Sequence, residues 1–320
     1  MSQGLKANQV ISSHFNNNQQ WATEVRGLGV SKIKDVFYTC SDDGTLREWS
    51  CTSKTCLRVL NLNIDEHNVS LGPDPITKDI RDCSKLRVIG ISPAKKGNAA
   101  AIGCYDGTIR LVILTTWYQM SMFRHRKSCV TDIKFSPNGS HFAVGYADSW
   151  ICIYLTVGLK LISKIKKHSS AITHIDWSKE GDFIRSNCKA NELQYFSAPD
   201  LSPLADGATL TRDNHWDTCS CVLSWHVQGI YGRPTDNPDI SSVCRFVNNQ
   251  KFSDSLLAVT DENGKVLVYR YPCIKKGAGY AEAFGHASPV ADVCFSKDGS
   301  YLFSVGGQDN CVMQWKIIPE

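Results

Sequence analysis

Three side chains in the last fifty residues are of the types that carry out nucleophilic catalysis. They are His286, Ser304 and Asp309. In a hydrolase the serine attacks, the histidine takes its proton and the acid orients the histidine, but all three must converge in one cleft. The sequence has no phosphate-binding loop, dinucleotide fingerprint or paired metal ligands. The elements that position these residues therefore decide whether they catalyse a reaction or stabilise a fold.

The 14 cysteines are the second candidate for chemistry, through disulfide bonds or metal binding. No CxxC pair occurs, and Cys219 and Cys221 would share one face of a strand without metal geometry. Seven others lie within or beside segments that alternate like strands: Cys40, Cys104, Cys152, Cys188, Cys244, Cys294 and Cys311. We interpret the cysteines as small apolar core residues and expect no metal site and no cofactor.

A spacing of turn, aliphatic and large apolar residues recurs six times, in segments that we call repeats 1 to 6. An aliphatic residue follows the turn residue by three positions, and an aromatic or large apolar residue follows it by six. The turn residues are Asp43, Asp106, Asp148, Ala190, Asn263 and Asp309. The sixth-position residues are Trp49, Val112, Tyr154, Phe196, Tyr269 and Trp315. Six matches at fixed spacing indicate an internal repeat.

An alternating segment precedes each turn and has the period of a β-strand. These segments are Val25 to Val30, Leu86 to Ile91, Val130 to Phe135, Ile172 to Trp177, Ile240 to Phe246 and Val290 to Phe295. Three of them lead into a serine followed three places later by Gly139, Gly181 or Gly299. Glycine tolerates the positive φ that a tight hairpin requires. Each repeat is therefore predicted to form four antiparallel strands.

The segment from Asp43 to Trp49 resembles the turn and strand of a WD repeat. Such a unit cannot bury its apolar face alone, so we predict an all-β fold in which the copies close into a single WD-repeat β-propeller. The resemblance also implies that His286, Ser304, Asp309 and Trp315 form a structural hydrogen-bonded chain within one blade. This interpretation assigns no catalytic residue and predicts that the chain is not an enzyme.

Two other repeats hold only parts of that chain. Thr39, Asp43 and Trp49 give a partial version in repeat 1, and His168 is predicted to be a lone remnant in repeat 4. Buried polar groups need hydrogen-bond partners, and these positions would supply them.

Two gaps between turn residues exceed the repeat length. Most intervals are 42 or 46 residues, but repeats 1 and 2 are 63 apart, and repeats 4 and 5 are 73 apart. We predict a surface insertion at about 61–84. Within the second gap, about 213–239, the apolar stretch 216–231 is predicted to form two strands of an irregular seventh blade; the alternative is a hairpin on the rim of a six-bladed ring.

The last repeat ends shortly after its tryptophan strand, so its outer strand must come from elsewhere. Gln9 to Ser12 is the predicted donor, in a closing strand at about 8–14 that would remove two sheet edges. The continuous repeat predicts one domain over 1–320. No apolar run reaches the length of a membrane span and the first residues do not form a signal peptide, so we expect a cytosolic protein.

Several segments beyond the strands resemble the echinoderm microtubule-associated protein-like family. They are 168–177, 216–231, 271–273, 306–309 and 313–315, and they occur in the family's order. In that family two propellers stand in tandem, and this chain is similar to the second. The resemblance implies a non-enzymatic scaffold that associates with tubulin, microtubules or other cytoskeletal and axonemal proteins, in the cytoskeleton or in a cilium or flagellum. The family's amino-terminal coiled coil and basic linker have no counterpart here.

The net charge is only +4, but basic residues cluster at two equivalent links between blades. The cluster residues are Arg124, Arg126, Lys127, Lys164, Lys166 and Lys167. Equivalent links should share one face of a propeller, where six cations would attract an acidic partner such as a tubulin tail in a salt-dependent way. The alternative is a solvated rim. So small a net charge argues against nucleic acid, and no membrane partner is expected.

The fold features also fit a second function. A general WD-repeat adaptor could hold other proteins or peptides on its faces without binding tubulin directly. The repeats are common to both hypotheses, and only the family segments favour the cytoskeletal one.

Overall fold

A computed structural model describes residues 4–12, 24–62, 85–93, 99–231, 239–248 and 254–318. Within these ranges the chain forms six antiparallel sheets, one for each repeat. No helix in this part of the chain is both long and apolar enough to cross a membrane. The predicted insertion at 61–84 lies almost entirely outside the described residues.

The first three sheets each contain four strands in chain order. Sheet 1 comprises β2 (Val25–Val30), β3 (Val36–Ser41), β4 (Thr45–Ser50) and β5 (Cys56–Asn61). Sheet 2 comprises β6 (Leu86–Ile91), β7 (Ala99–Cys104), β8 (Ile109–Ile113) and β9 (Tyr118–Phe123). Sheet 3 comprises β10 (Val130–Phe135), β11 (His141–Tyr146), β12 (Trp150–Leu155) and β13 (Leu161–Lys166).

The last three sheets depart from that order twice. Sheet 4 has three strands, β14 (Ile172–Trp177), β15 (Phe183–Cys188) and β16 (Leu193–Ser197). Sheet 5 has β17 (Ile240–Phe246), β18 (Leu256–Asp261), β19 (Lys265–Arg270) and β20 (Tyr280–Phe284). Sheet 6 has β21 (Val290–Phe295), β22 (Tyr301–Gly306), β23 (Cys311–Ile318) and β1 (Gly4–Ser12). β1 pairs antiparallel with β23, with Leu5 opposite Ile317.

The hairpins form where glycine permits a left-handed backbone. Gly139, Gly181 and Gly299 have φ values of 71°, 82° and 73°. The Gly139 N–H donates to the Ser136 carbonyl at 2.8 Å, which closes the turn between β10 and β11. The predicted hairpin glycines are therefore confirmed.

The chain divides into two compact units. One comprises Met1–Thr39, Trp49–Thr55 and Cys219–Glu320, and the other comprises Cys40–Glu48 and Cys56–Thr218. In the first unit β21 packs against β17 and β2, and in the second β10 packs against β6 and β14. The core of the first unit includes Val290, Val293 and Phe295 of β21, and the core of the second includes Val130, Ile133 and Phe135 of β10.

The prediction of two strands over 216–231 is wrong. Among the described residues between β16 and β17 there is no strand: the chain forms turns, a short helix α1 (Gly207–Leu210) and a 3₁₀ helix (Trp225–Ile230). The apolar side chains are buried in another way, since Val227 and Ile230 lie three residues apart and enter one core from the same side of the 3₁₀ helix. The hairpin alternative is equally wrong for these residues.

The 3₁₀ helix docks on the chain that follows β19. The Gly229 N–H donates to the Cys273 carbonyl at 2.8 Å, and the Cys273 N–H donates to the His226 carbonyl at 2.8 Å. A Cβ on Gly229 would lie 2.6 Å from the Lys275 carbonyl oxygen, so the two segments approach as closely as glycine allows.

Candidate functional site

The two arginines of the predicted basic cluster are held in ion pairs. Arg124, which follows β9, contacts the Asp106 carboxylate at 3.1 Å, and its side chain is 8% exposed. Arg126 pairs with Asp148, and its Nε lies 3.1 Å from that carboxylate. Both acids are turn residues of the repeats, and four of the six predicted cations are lysines.

The four lysines, Lys127, Lys164, Lys166 and Lys167, are exposed, and we call them the lysine surface. Within the described part of the chain no carboxylate lies at ion-pair distance from any of them. Lys164 and Lys166 project on the same side of β13, because residues two apart on a strand share a face. Lys127 lies on the link between β9 and β10.

A tryptophan that the sequence did not single out joins the two basic groups. The Arg126 guanidinium carbon lies 4.5 Å from the centroid of the Trp150 ring, and the Lys164 ammonium lies 5.7 Å from it. Trp150 is also the register partner of Lys166 across β12 and β13. Trp150 stands two residues after a turn residue, where repeats 1 and 2 carry Thr45 and Thr108. This departure from the repeat pattern is the signal in the sequence that could have identified Trp150.

The predicted structural chain of repeat 6 lies within hydrogen-bond distance throughout. His286 Nδ1 is 2.8 Å from the Asp309 carboxylate and His286 Nε2 is 2.7 Å from Ser304 Oγ. The Trp315 indole N–H donates to the same Ser304 oxygen at 2.8 Å. Burial would raise the pKa of Asp309, but hydrogen bonds from His286, Cys311 and Ala287 hold that pKa below its usual value.

The prediction that His168 is an isolated remnant is wrong. His168 Nδ1 lies 3.2 Å from the Glu192 carboxylate and His168 Nε2 lies 2.6 Å from Ser186 Oγ. The Ser169 N–H and hydroxyl donate to the same carboxylate. The acid was missed because the turn position of repeat 4 is Ala190 and the carboxylate comes two residues later.

The pKa values of both polar groups in repeat 4 are shifted downward. Burial lowers the pKa of His168, although Glu192 opposes that shift. Hydrogen bonds from the Ser169 hydroxyl and N–H lower the pKa of Glu192 to about 2. At neutral pH the site therefore holds a neutral imidazole beside an ionised carboxylate.

Repeat 1 holds a shorter version of the same arrangement. The Trp49 indole N–H donates to Thr39 Oγ1 at 2.8 Å. The Asp43 carboxylate accepts the Thr45 N–H at 2.8 Å and so closes its own turn. These bonds are local to one sheet.

The cysteines are protonated thiols at neutral pH where burial dominates. Burial raises the pKa of Cys51 to about 12 and those of Cys152 and Cys273 to about 11. The 13 described cysteines form no disulfide bond among themselves, and most are buried.

A family model and several relatives indicate one family. The family model described as the echinoderm microtubule-associated protein second β-propeller matches residues 25–317. Human echinoderm microtubule-associated protein-like 3 is 36% identical over 299 residues, which are 92% of this chain and 30% of the relative.

The ciliary WD repeat-containing protein ctxp80 of Euplotoides octocarinatus is 30% identical over 98% of this chain and 42% of its own length. This chain therefore spans less than half of each of these two relatives. The solved structure of U3-55K, 13% identical, matches 98% of both chains with a TM-score of 0.68, which supports the fold alone. None of these names indicates a catalytic family.

The six sheets are thus the blades of an all-β, six-bladed β-propeller, and the chain belongs to the echinoderm microtubule-associated protein family, whose second propeller it matches.

Proposed function

We propose that this chain is a non-enzymatic, microtubule-associated scaffold that binds acidic segments of tubulin through the lysine surface. The observation that carries the association with microtubules is the family match over residues 25–317. The names of the relatives, which include a ciliary protein, favour a place in the cytoskeleton and in a cilium or flagellum.

The lysine surface supports the proposed mode of binding. The Lys164 ammonium lies 5.7 Å from the centroid of the Trp150 ring, and Lys166 is the register partner of Trp150. The two neighbouring arginines already have carboxylate partners. An acidic peptide would gain charge attraction from the lysines and apolar contact from the indole ring. Because the lysines are exposed, salt should weaken this attraction strongly.

Sheet 6 supports the use of this propeller as a rigid scaffold. The pairing of β1 with β23 brings the amino-terminal strand to the outer edge of the last blade. We infer that this strand closes the propeller and covers an edge that could otherwise pair with another chain.

Co-sedimentation with microtubules at low and high salt tests the proposal. We expect the chain to pellet at low salt and to be released at high salt. The triple variant Lys164→Glu, Lys166→Glu, Lys167→Glu should lose most of this binding. The matched control Lys34→Glu, Lys275→Glu, Lys276→Glu reverses the same number of exposed lysines elsewhere and should still pellet.

Tail-cleaved microtubules identify the segment that is bound. Loss of pelleting when the acidic tails are removed would assign them as the target. Equal pelleting of the lysine-surface variant and the control would overturn the proposed surface. Failure of the unmodified chain to pellet at low salt would favour the second function.

The second function is an adaptor that binds other proteins without direct contact to tubulin. A cleft of about 450 Å³ beside β19 and β20 favours it, lined by residues that include Arg270, Ile274 and Tyr280. Apolar side chains together with the two cations Arg270 and Lys275 suit a peptide with an acidic and an apolar side chain.

A further inference from the structure

Repeat 4 gathers three side chains of metal-binding type at one end of sheet 4. They are His168, Cys188 and Glu192, and their donor atoms all lie within 4.8 Å of one another. His168 Nδ1 is 3.2 Å and Cys188 Sγ is 3.4 Å from the same carboxylate oxygen of Glu192. Ligands bound to zinc at about 2.0–2.3 Å in a tetrahedron lie roughly 3.3–3.8 Å apart. The spacing of these donors therefore approaches that of a zinc site.

We propose that His168, Cys188 and Glu192 bind a Zn²⁺-class cation, with a water molecule as the fourth ligand. Nitrogen, sulfur and carboxylate oxygen are the donors that zinc accepts. The Glu192 side chain is 31% exposed, so a cation and a water molecule can reach the site from solvent.

Repeat 6 shows why this set is not simply the common hydrogen-bonded chain of the fold. The position of Cys188 is occupied in repeat 6 by Gly306, since both lie 20 residues after the histidine. A Cβ on Gly306 would lie 2.2 Å from Asp309 Oδ1. Repeat 4 has Ala190 at the turn and takes its acid from Glu192, which leaves room for a thiol.

The second difference concerns Nε2, the histidine nitrogen that would not bind the metal. When Nδ1 binds a metal, the imidazole proton must lie on Nε2 and be donated to a neighbouring acceptor. In repeat 6 the acceptor Ser304 already receives the Trp315 N–H. In repeat 4 the matching residue is Phe196, which has no such donor, so Ser186 is left to His168 alone.

Charge and protonation are also suitable. His168 can supply a neutral nitrogen donor, and Glu192 and Cys188 can supply two anionic donors, which suits a doubly charged cation. Binding would release the Cys188 thiol proton and leave one proton on His168, at Nε2. The site would then carry no net charge: the two charges of the cation would be balanced by the thiolate and the carboxylate.

Cobalt substitution of the full chain tests the proposal. The chain is treated with a chelator, kept reduced with a phosphine and titrated with Co²⁺. We expect a thiolate-to-cobalt charge-transfer band that saturates at one equivalent and is bleached by one equivalent of Zn²⁺. Absence of the band would overturn the proposal.

Variants assign the ligands. Cys188→Ser should abolish the band, whereas Cys311→Ser, which removes the thiol beside Asp309 in sheet 6, should keep it. A band that survives Cys188→Ser would place the metal elsewhere and overturn the proposal. Ser186→Ala should weaken Zn²⁺ binding by about 10–100-fold, the usual cost of losing a supporting hydrogen bond.

A further variant tests the ligand set in a protein that is shown to be folded. Glu192→Gln changes a partly exposed side chain and keeps its shape, and circular dichroism checks that it is folded. It should bind Zn²⁺ more weakly than Ser186→Ala does. Unchanged affinity in folded Glu192→Gln would contradict the proposed ligand set.

Discussion

Sheets 4 and 6 have different residue types at matching positions of the repeat. In sheet 6 the chain His286, Ser304, Trp315 and Asp309 is fully hydrogen-bonded, and Phe303 faces Cys294 across β21 and β22. In sheet 4 Phe196 stands at the position of Trp315, and the acid comes two residues after the turn position. Arg185 faces Asp176 at the positions that match Phe303 and Cys294. The comparison teaches that the fold fixes the places of these residues but not their polarity.

The largest expected effect comes from the ion pair of sheet 4. The Arg185 guanidinium donates to Asp176 at 3.0 and 2.9 Å, and the side chains are 2% and 0% exposed. The Trp216 ring covers the guanidinium at 4.1 Å. Asp176→Ala removes the carboxylate that accepts two hydrogen bonds from this buried guanidinium, and it should lower the free energy of unfolding by about 3–5 kcal/mol. Urea unfolding followed by tryptophan fluorescence measures it.

The double variant Asp176→Cys, Arg185→Phe copies the sheet 6 pair and is the control. It should recover much of the lost stability, because replacing both charges leaves neither of them unpaired. A double variant as unstable as Asp176→Ala would show that stability depends on the contact between the Arg185 guanidinium and the Trp216 ring.

The next prediction compares Ser304 of sheet 6 with Ser186 of sheet 4. Ser304→Ala removes the partner of the Trp315 indole N–H and of His286 Nε2, so it should lower the free energy of unfolding by about 2–4 kcal/mol, at about 1–2 kcal/mol for each of the two buried groups. Ser186→Ala removes only the partner of His168 Nε2 and should lower the free energy of unfolding by about 1–2 kcal/mol. Urea unfolding with a chelator present compares them, and equal losses would remove the special role of the indole.

Much of this fold could be predicted from the sequence because its signals are local and periodic. The alternation in Val130 to Phe135 and the glycine at 139 specify a strand and its turn without reference to the rest of the chain. His286 and Ser304 were found because both stand at the repeat's own positions. By contrast, Val227 and Ile230 carry an apolar signal without the period of a strand, and their 3₁₀ helix follows from packing on Tyr271 and Cys273.

The candidate sites were less predictable because their partners are distant in sequence. The sequence alone shows no partner for Arg124 or Arg126. In the structure Arg124 pairs with Asp106, 18 residues before it, and Arg126 pairs with Asp148, 22 residues after it. Glu192 stands two residues beyond the turn position, so no fixed spacing connects it to His168. Only the folded backbone brings such residues together.

The smallest expected effect is a difference in pH dependence between the two sheets. Burial holds the pKa of His168 below its value in an unfolded chain, about 6.5. As the pH falls through 6.5 the unfolded chain takes up the proton first, so stability declines, and the decline stops below the folded pKa. His168→Gln should therefore lose part of the decrease in unfolding free energy between pH 7.5 and 5.

The matched variant in sheet 6 should respond in another range. The pKa of Asp309 is lowered in the folded protein, so its contribution is present above the unfolded value of about 3.9 and is lost as the pH falls through the folded pKa. Asp309→Asn should flatten the stability profile only below about pH 4. Urea unfolding across pH 3–8, with chelator present, measures both profiles. A His168→Gln profile parallel to the parent between pH 5 and 7.5 would contradict a buried, neutral imidazole in sheet 4.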